Sequence, residues 1–260
     1  MAVTNFIQTI WSKKIQDDLE LKCKLVDNCL RDYEGDCKYA QSVKILGVGE
    51  PTIAPYDNGV DIEIEEMSDR SQILTIDQAN YFAFYVDDVN QAQSVPGLKE
   101  KYQEKAVHGL AVARDTYVAT LIAGASNKTT VTMTEEGFKK GIDEAIVALR
   151  ERNFDEAGVI EITPAAYNLF KNHLITLSTN NPELIRKGVV GVYDQFDVIM
   201  SNNLKTPGCI RGKKAIAFAG QINEVEALRA EKRFKDIIRG LDTFGAKVID
   251  ENRIQVLTTA

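Results

Sequence analysis

Val60-Asp61-Ile62-Glu63-Ile64-Glu65 and Tyr81-Phe82-Ala83-Phe84-Tyr85-Val86 precede the stretch from Gly97 to Gly124, and the change of period between them decides the fold. The first two read as strands of period two. The third repeats Leu98, Tyr102, Ala106, Leu110, Ala113, Tyr117 and Leu121 at helical spacing and would extend about 42 Å. From about Cys37 to Val86 the chain is β-like, acidic and rich in turn residues, with too few apolar positions to close a sandwich. A long two-stranded hairpin is marginal in water unless something covers it. The segment therefore reads as an arm that lies on another molecule, which points to assembly rather than catalysis.

Working outward, Ile7, Trp11, Ile15, Leu19, Cys23, Val26 and Leu30 fall on one face of a helix ended by Gly35-Asp36. Such a stripe suits either a helix packed on its own domain or an arm reaching a neighbour. Strands are expected at 43–45, broken by Gly47-Val48-Gly49-Glu50-Pro51, at 60–65, at 73–76 after a polar turn Ser68-Asp69-Arg70-Ser71, and at 80–86. Thr132-Met133-Thr134 caps a helix to about Arg152, and Thr163-Pro164 starts another over 164–177. Strands are expected at 159–162, 189–192, 196–200, 215–219, 222–227, 236–248 and 253–257. The 236–248 segment reads as a strand because Gly240 and Gly245 weaken a helix by about 1 kcal/mol each.

With 260 residues, 44% hydrophobic and 27% charged, the chain can bury a substantial core. Its net charge of -7 and scattered Lys and Arg argue against a protein that neutralises phosphate by itself. Cys23, Cys29, Cys37 and Cys209 form no C-x-x-C pair, and His108 and His173 are the only histidines, so no metal site and no cofactor are expected. No signal peptide and no membrane span is read. Val43-Lys44-Ile45-Leu46-Gly47-Val48-Gly49 runs a strand into G-x-G, but Pro51 and Pro55 follow where a phosphate-binding helix should begin. Asp87-Asp88, Glu65-Glu66 and Glu135-Glu136 are sequence neighbours, so they do not make a two-carboxylate site. No catalytic residue is assigned, and the chain is not read as an enzyme.

Four stretches carry a family likeness. The first two are Asn5-Phe6-Ile7-Gln8-Thr9-Ile10-Trp11-Ser12 with Arg31-Asp32-Tyr33-Glu34-Gly35, and Leu74-Thr75-Ile76-Asp77-Gln78-Ala79 with Phe84-Tyr85-Val86-Asp87-Asp88-Val89. Later come Gly191-Val192-Tyr193-Asp194-Gln195-Phe196-Asp197-Val198-Ile199-Met200-Ser201-Asn202-Asn203-Leu204 and Arg239-Gly240-Leu241-Asp242-Thr243-Phe244-Gly245-Ala246-Lys247-Val248-Ile249. With these stretches, the order of elements resembles the major capsid proteins of tailed bacteriophages, the Hong Kong 97-type fold. The resemblance implies an α+β chain with an N-terminal arm over 1–35 and an extended β loop over 36–90. It implies a peripheral domain with a long spine helix over 91–127, an axial α/β domain over 128–217, and peripheral return strands over 218–260.

The function so implied is a major capsid (head) protein that self-assembles through pentamers and hexamers into an icosahedral shell around phage double-stranded DNA. Assembly would take place in the bacterial host cytoplasm, with no sequence-specific DNA contact and no membrane. The loop begins within about forty residues of Met1, leaving no room for the scaffolding extension of some relatives, so a separate scaffolding protein and a portal are the expected partners. The lysine–asparagine crosslink of some relatives is not carried over, since Lys44 lies near the loop base and the tip is acidic. Subunit contacts are expected at Trp11, at the acidic tip (Asp57, Asp61, Glu63, Glu65, with Glu66) and at Lys99, Lys101 and Lys105. Two rivals are an encapsulin-type nanocompartment shell protein and a small α/β enzyme or ligand-binding module.

Overall fold

The helix expected after Pro96-Gly97 is present: α1 spans Leu98–Gly124 in the computed structural model, which describes residues 23–33, 42–48, 69–87, 98–176, 191–229 and 235–259. Its buried face is Val107, Leu110, Ala111, Arg114, Asp115, Val118, Ala119 and Ile122. That face is turned from the expected stripe, because Arg114 and Asp115 look solvent-facing in sequence yet are paired inside. Tyr102 and Tyr117 of the expected stripe sit at its border. Tyr102 stacks on Phe84 at 5.8 Å and Tyr117 meets Phe244 edge-on at 5.6 Å.

A six-stranded sheet forms the central layer, in the order β4-β11-β8-β5-β7-β6. Its strands are β4 (Lys128–Val131), β5 (Gly158–Ile162), β6 (Val192–Tyr193), β7 (Phe196–Met200), β8 (Gly208–Gly212) and β11 (Ile254–Thr259). β5 and β8 are buried along their whole length, as strands covered on both faces must be. On one face, Ile160, Ile162, Ile210 and Leu257 pack with α2 (Glu135–Arg150) and α3 (Pro164–Thr176). On the other, Cys209, Ile254 and Val256 join α1 and the segment around Leu25. Thr134 caps α2 as expected, its Oγ1 accepting from the Gly137 N–H at 3.1 Å. β6 and β7 are joined by Asp194 and Gln195, both at positive φ, as the twist of a two-residue hairpin loop requires.

A second sheet, ordered β3-β10-β9, is antiparallel throughout: β3 (Gln78–Asp87), β9 (Ile216–Arg229) and β10 (Lys235–Val248). β10 confirms the long strand through two glycines, and both are needed where neighbours come close. A Cβ on Gly240 would lie 2.4 Å from the Phe82 ring, and one on Gly245 would lie 2.0 Å from the Thr75 carbonyl oxygen. β9 replaces the two expected strands at 215–219 and 222–227. Its register against β10 shifts between Leu241 and Asp242, leaving Asn223 as the extra residue of a bulge. β1 (Ser42–Val48) and β2 (Asp69–Thr75) form a two-stranded hairpin base whose Val43, Ile45 and Leu74 pack on Ala217 and Ala219.

Three further expectations are corrected. Gly47 does not break β1, and Asp69-Arg70-Ser71 is not a turn, because Gly47 pairs with Arg70 and Val48 with Asp69. The helical stripe does not continue through Leu30. Residues 23–33 contain only a 3-10 turn at Val26–Asn28 and a bridge from Leu30 to Ala217. There the backbone N–H groups of Lys24, Leu25 and Val26 donate to the Asp115 carboxylate. Residues 7–22 and the expected strand 60–65 lie outside the described residues. β8 was not expected from sequence. The last strand, β11, pairs with β4 and β8.

Candidate functional site

Two features of this fold stand out chemically: a sheet face that turns two tyrosines to solvent and a set of charges held inside. The alternation of β3 places Phe82 and Phe84 against the core and Tyr81, Ala83 and Tyr85 outward. Tyr81 is 80% exposed and Tyr85 70%. Across the ladder Tyr81 pairs with Leu241, itself exposed, and Tyr85 with Ile237. Between these two pairs Ala83 lies opposite the exposed Arg239, so the face presents two apolar pairs flanking a guanidinium. Beside it, an open groove of about 420 Å³ runs between the start of β3 and the small residues Ala106, Gly109 and Ala113 of α1.

Inside, Glu161 of β5 and Arg211 of β8 are both fully buried. Glu161 pairs across the ladder with Cys209, so Arg211, two residues on, reaches it along the same face. The guanidinium donates from Nε to Oε2 at 3.0 Å and from Nη2 to Oε1 at 2.7 Å. It also donates to the carbonyls of Asn28 at 2.7 Å and Leu25 at 2.8 Å. Burial works against the charge on Arg211, but Glu161 beside it outweighs that and holds it protonated. A second buried pair joins α1 to β10: Arg114 donates to Asp242 at 3.0 and 2.5 Å and lies over the Phe218 and Phe244 rings.

Of the residues expected at subunit contacts, Lys105 is exposed on α1. Trp11, Asp57, Asp61, Glu63, Glu65 and Glu66 lie outside the described residues, and Lys99 and Lys101 lie in α1 with side chains that are not described. Glu161, Arg211, Arg114, Asp115 and Asp242 were missed. Their signal in sequence is a charge inside an apolar strand, as in Val159-Ile160-Glu161-Ile162. His108 is exposed on α1, and His173 lies in the last turn of α3. Among the described residues, no group of three or more His, Cys, Asp or Glu is placed to hold a metal ion, and no helix is long and apolar enough to cross a membrane.

The buried thiols predict a pH response. Desolvation pushes Cys29 up to about 11 against the Arg211 charge, and pushes Cys23 up to about 12 with help from Asp115. The folded chain therefore keeps protons that an unfolded chain, with thiols near 9.0, loses. Stability is full below pH 9 and falls as pH rises from there toward 11, by on the order of 2–3 kcal/mol from Cys29 alone. Urea midpoints measured from pH 8 to pH 11 should fall steadily above pH 9. A flat midpoint across that range would show that the thiols are hydrated.

No protein-family model and no curated protein matches the chain. Solved structures do. A structure from Mycobacterium phage Che8 aligns with a TM-score of 0.77 at 24% identity, covering 90% of each chain. The capsid of cyanophage P-SCSP1u aligns at 0.73 with 16% identity, over 89% of this chain and 86% of that one. A virus-like particle from Pyrococcus furiosus aligns at 0.61 with 13% identity, over 96% and 99%. The α+β architecture is thus matched along almost the whole chain, and this protein has the fold of the tailed-phage capsid proteins that its sequence resembles.

Proposed function

We propose that this chain is a tailed-phage major capsid protein that self-assembles through pentamers and hexamers into an icosahedral shell around double-stranded DNA. The observation that carries the reading is fold similarity to phage structures over about nine-tenths of both chains, with no large part left over for another activity. On this reading α1 is the spine helix of the peripheral domain, residues 1–35 the N-terminal arm and 36–90 the extended loop. The β1–β2 ladder, which packs on the three-stranded sheet but shares no strand pairing with either larger sheet, supports the last of these. Residues 128–217 form the axial domain and 218–260 the peripheral return, except that β11 at the end of the chain lies in the six-stranded sheet between β4 and β8. The chain is structural rather than enzymatic. It is assembled in the host cytoplasm with a separate scaffolding protein and a portal, and its net charge of -7 leaves the enclosed DNA loosely held.

A shell around protein cargo is the second reading, favoured by the match to almost all of the Pyrococcus furiosus virus-like particle chain. Particles recovered from the native host separate the two. Nuclease-protected double-stranded DNA supports the first, and protein cargo without DNA overturns it in favour of the second.

The acidic tip (Asp57, Asp61, Glu63, Glu65) is proposed to meet cations of an adjacent subunit, with Lys99, Lys101 and Lys105 as candidates and Trp11 as an apolar contact. Each exposed pair contributes only about 0.2–1 kcal/mol, but a closed shell repeats it many times. Glu63→Lys with Glu65→Lys is expected to leave the far-ultraviolet circular dichroism spectrum intact while lowering particle yield, most strongly at low salt. Equal yield from parent and variant at every salt concentration would mean the tip is solvated.

A further inference from the structure

Residues 23–30 cross the α1 side of the six-stranded sheet as a strap with almost no regular structure of its own, and its backbone meets buried ions at both ends. At the start, Asp115 accepts from the backbone N–H groups of Lys24 at 3.0 Å, Leu25 at 3.1 Å and Val26 at 3.2 Å. Further along, Arg211 donates to the carbonyls of Leu25 and Asn28 at 2.8 and 2.7 Å. Each ion thus faces strap groups of opposite polarity. Both ions are also held by groups outside the strap. The Asn203 side chain donates to Asp115 at 3.3 Å, and Glu161 takes two hydrogen bonds from Arg211. The strap is tied at its far end by Leu30, whose N–H donates to Ile216 and whose carbonyl accepts from Phe218.

We propose that residues 23–30 are a releasable latch, seated in an ionic socket of Asp115, Arg211 and Glu161 and able to open as a unit while the six-stranded sheet stays folded. The socket belongs to α1, β5 and β8, elements joined to one another without the strap. Arg211 keeps its partner Glu161 when the strap leaves, and the opened site admits water to Asp115. The strap itself commits few apolar side chains, chiefly Cys23, Leu25, Val26 and Cys29. Local opening of so small a unit costs less than unfolding the sheet. An apolar socket would hold a strap without direction, whereas hydrogen bonds to a carboxylate and a guanidinium fix its register and its polarity. The latch thereby sets the point from which the residues before Cys23 depart. The proposal concerns the isolated chain and stands whether or not that chain builds shells.

The strap carries its own reporters, since Cys23 and Cys29 are buried within it while Cys209 is buried in β8. Full-length protein would be pulsed with iodoacetamide under native conditions and each cysteine peptide read by mass spectrometry. In the parent, Cys23 and Cys29 should react together and at least tenfold faster than Cys209. Asp115→Asn should speed both a further tenfold or more and leave Cys209 unchanged. A single common rate for all three in the parent would overturn the proposal, showing that the strap opens only with global unfolding. So would Asp115→Asn leaving Cys23 and Cys29 at the parental rate. If that variant does not fold, the ratio of rates in the parent decides alone.

Discussion

Arg211→Ala is expected to lower the free energy of unfolding by about 3–5 kcal/mol, a large part of the stability of an ordinary domain. Arg211 is fully buried in β8 and spends its guanidinium on the Glu161 carboxylate and two carbonyls. Its removal strands a carboxylate that burial already pushes toward its neutral form, with no cation to pull it back. Two strap carbonyls lose their donor as well. The penalty is thus mainly the cost of leaving buried groups unpaired, rather than the net worth of the ion pair. Glu161→Leu combined with Arg211→Met should therefore be less destabilised than Arg211→Ala alone, because no charge is left behind. Urea unfolding of the three proteins measures this. A loss below 1 kcal/mol for Arg211→Ala would mean that water reaches Glu161 in the folded chain.

Arg114→Ala should cost a similar 3–5 kcal/mol by the same mechanism at a different joint. Asp242 is fully buried on β10, directly beside the β9 bulge, and Arg114 of α1 is its described hydrogen-bond donor. The guanidinium also lies 5.6 Å from the Phe218 ring centroid and 5.9 Å from that of Phe244. The pair pins the long helix to the three-stranded sheet. Arg114→Lys keeps the charge but not the two-pronged geometry or the ring stacking, so it should recover less than half of the loss. Full recovery with lysine would show that charge alone holds the joint.

Much of the architecture was legible because it rests on periodicity. The helix from Leu98 to Gly124, the cap at Thr134, the helix start at Pro164 and the alternation around Tyr81–Tyr85 all survive in the folded chain. What was not legible depends on partners far away in sequence. Glu161 and Arg211 are 50 residues apart, and Arg114 and Asp242 are 128 apart. Neither partner signals its pairing alone, so the buried face of α1 was misplaced. β8 escaped notice because Gly208-Cys209-Ile210-Arg211-Gly212 holds a charge and ends in glycines, signals that usually mark a loop. Both of those glycines are in fact packing positions: a Cβ at Gly208 would lie 2.7 Å from Ile162, and one at Gly212 would lie 2.8 Å from Phe154. The strap shows the reverse failure, where a sound helical period ending at Leu30 is overridden by hydrogen bonds to Asp115, Arg211 and Ile216.

The proposed assembly rests on the fold shared with phage structures, with Tyr81, Tyr85 and Leu241 exposed on one sheet face, and one measurement tests that proposal most directly. Protein produced with the candidate scaffolding protein from the same genome would be fractionated by sedimentation velocity and imaged by electron microscopy. The account predicts closed shells of uniform diameter with icosahedral symmetry, built from five-fold and six-fold capsomers. A compact monomer under every condition, with neither capsomers nor particles, would contradict it.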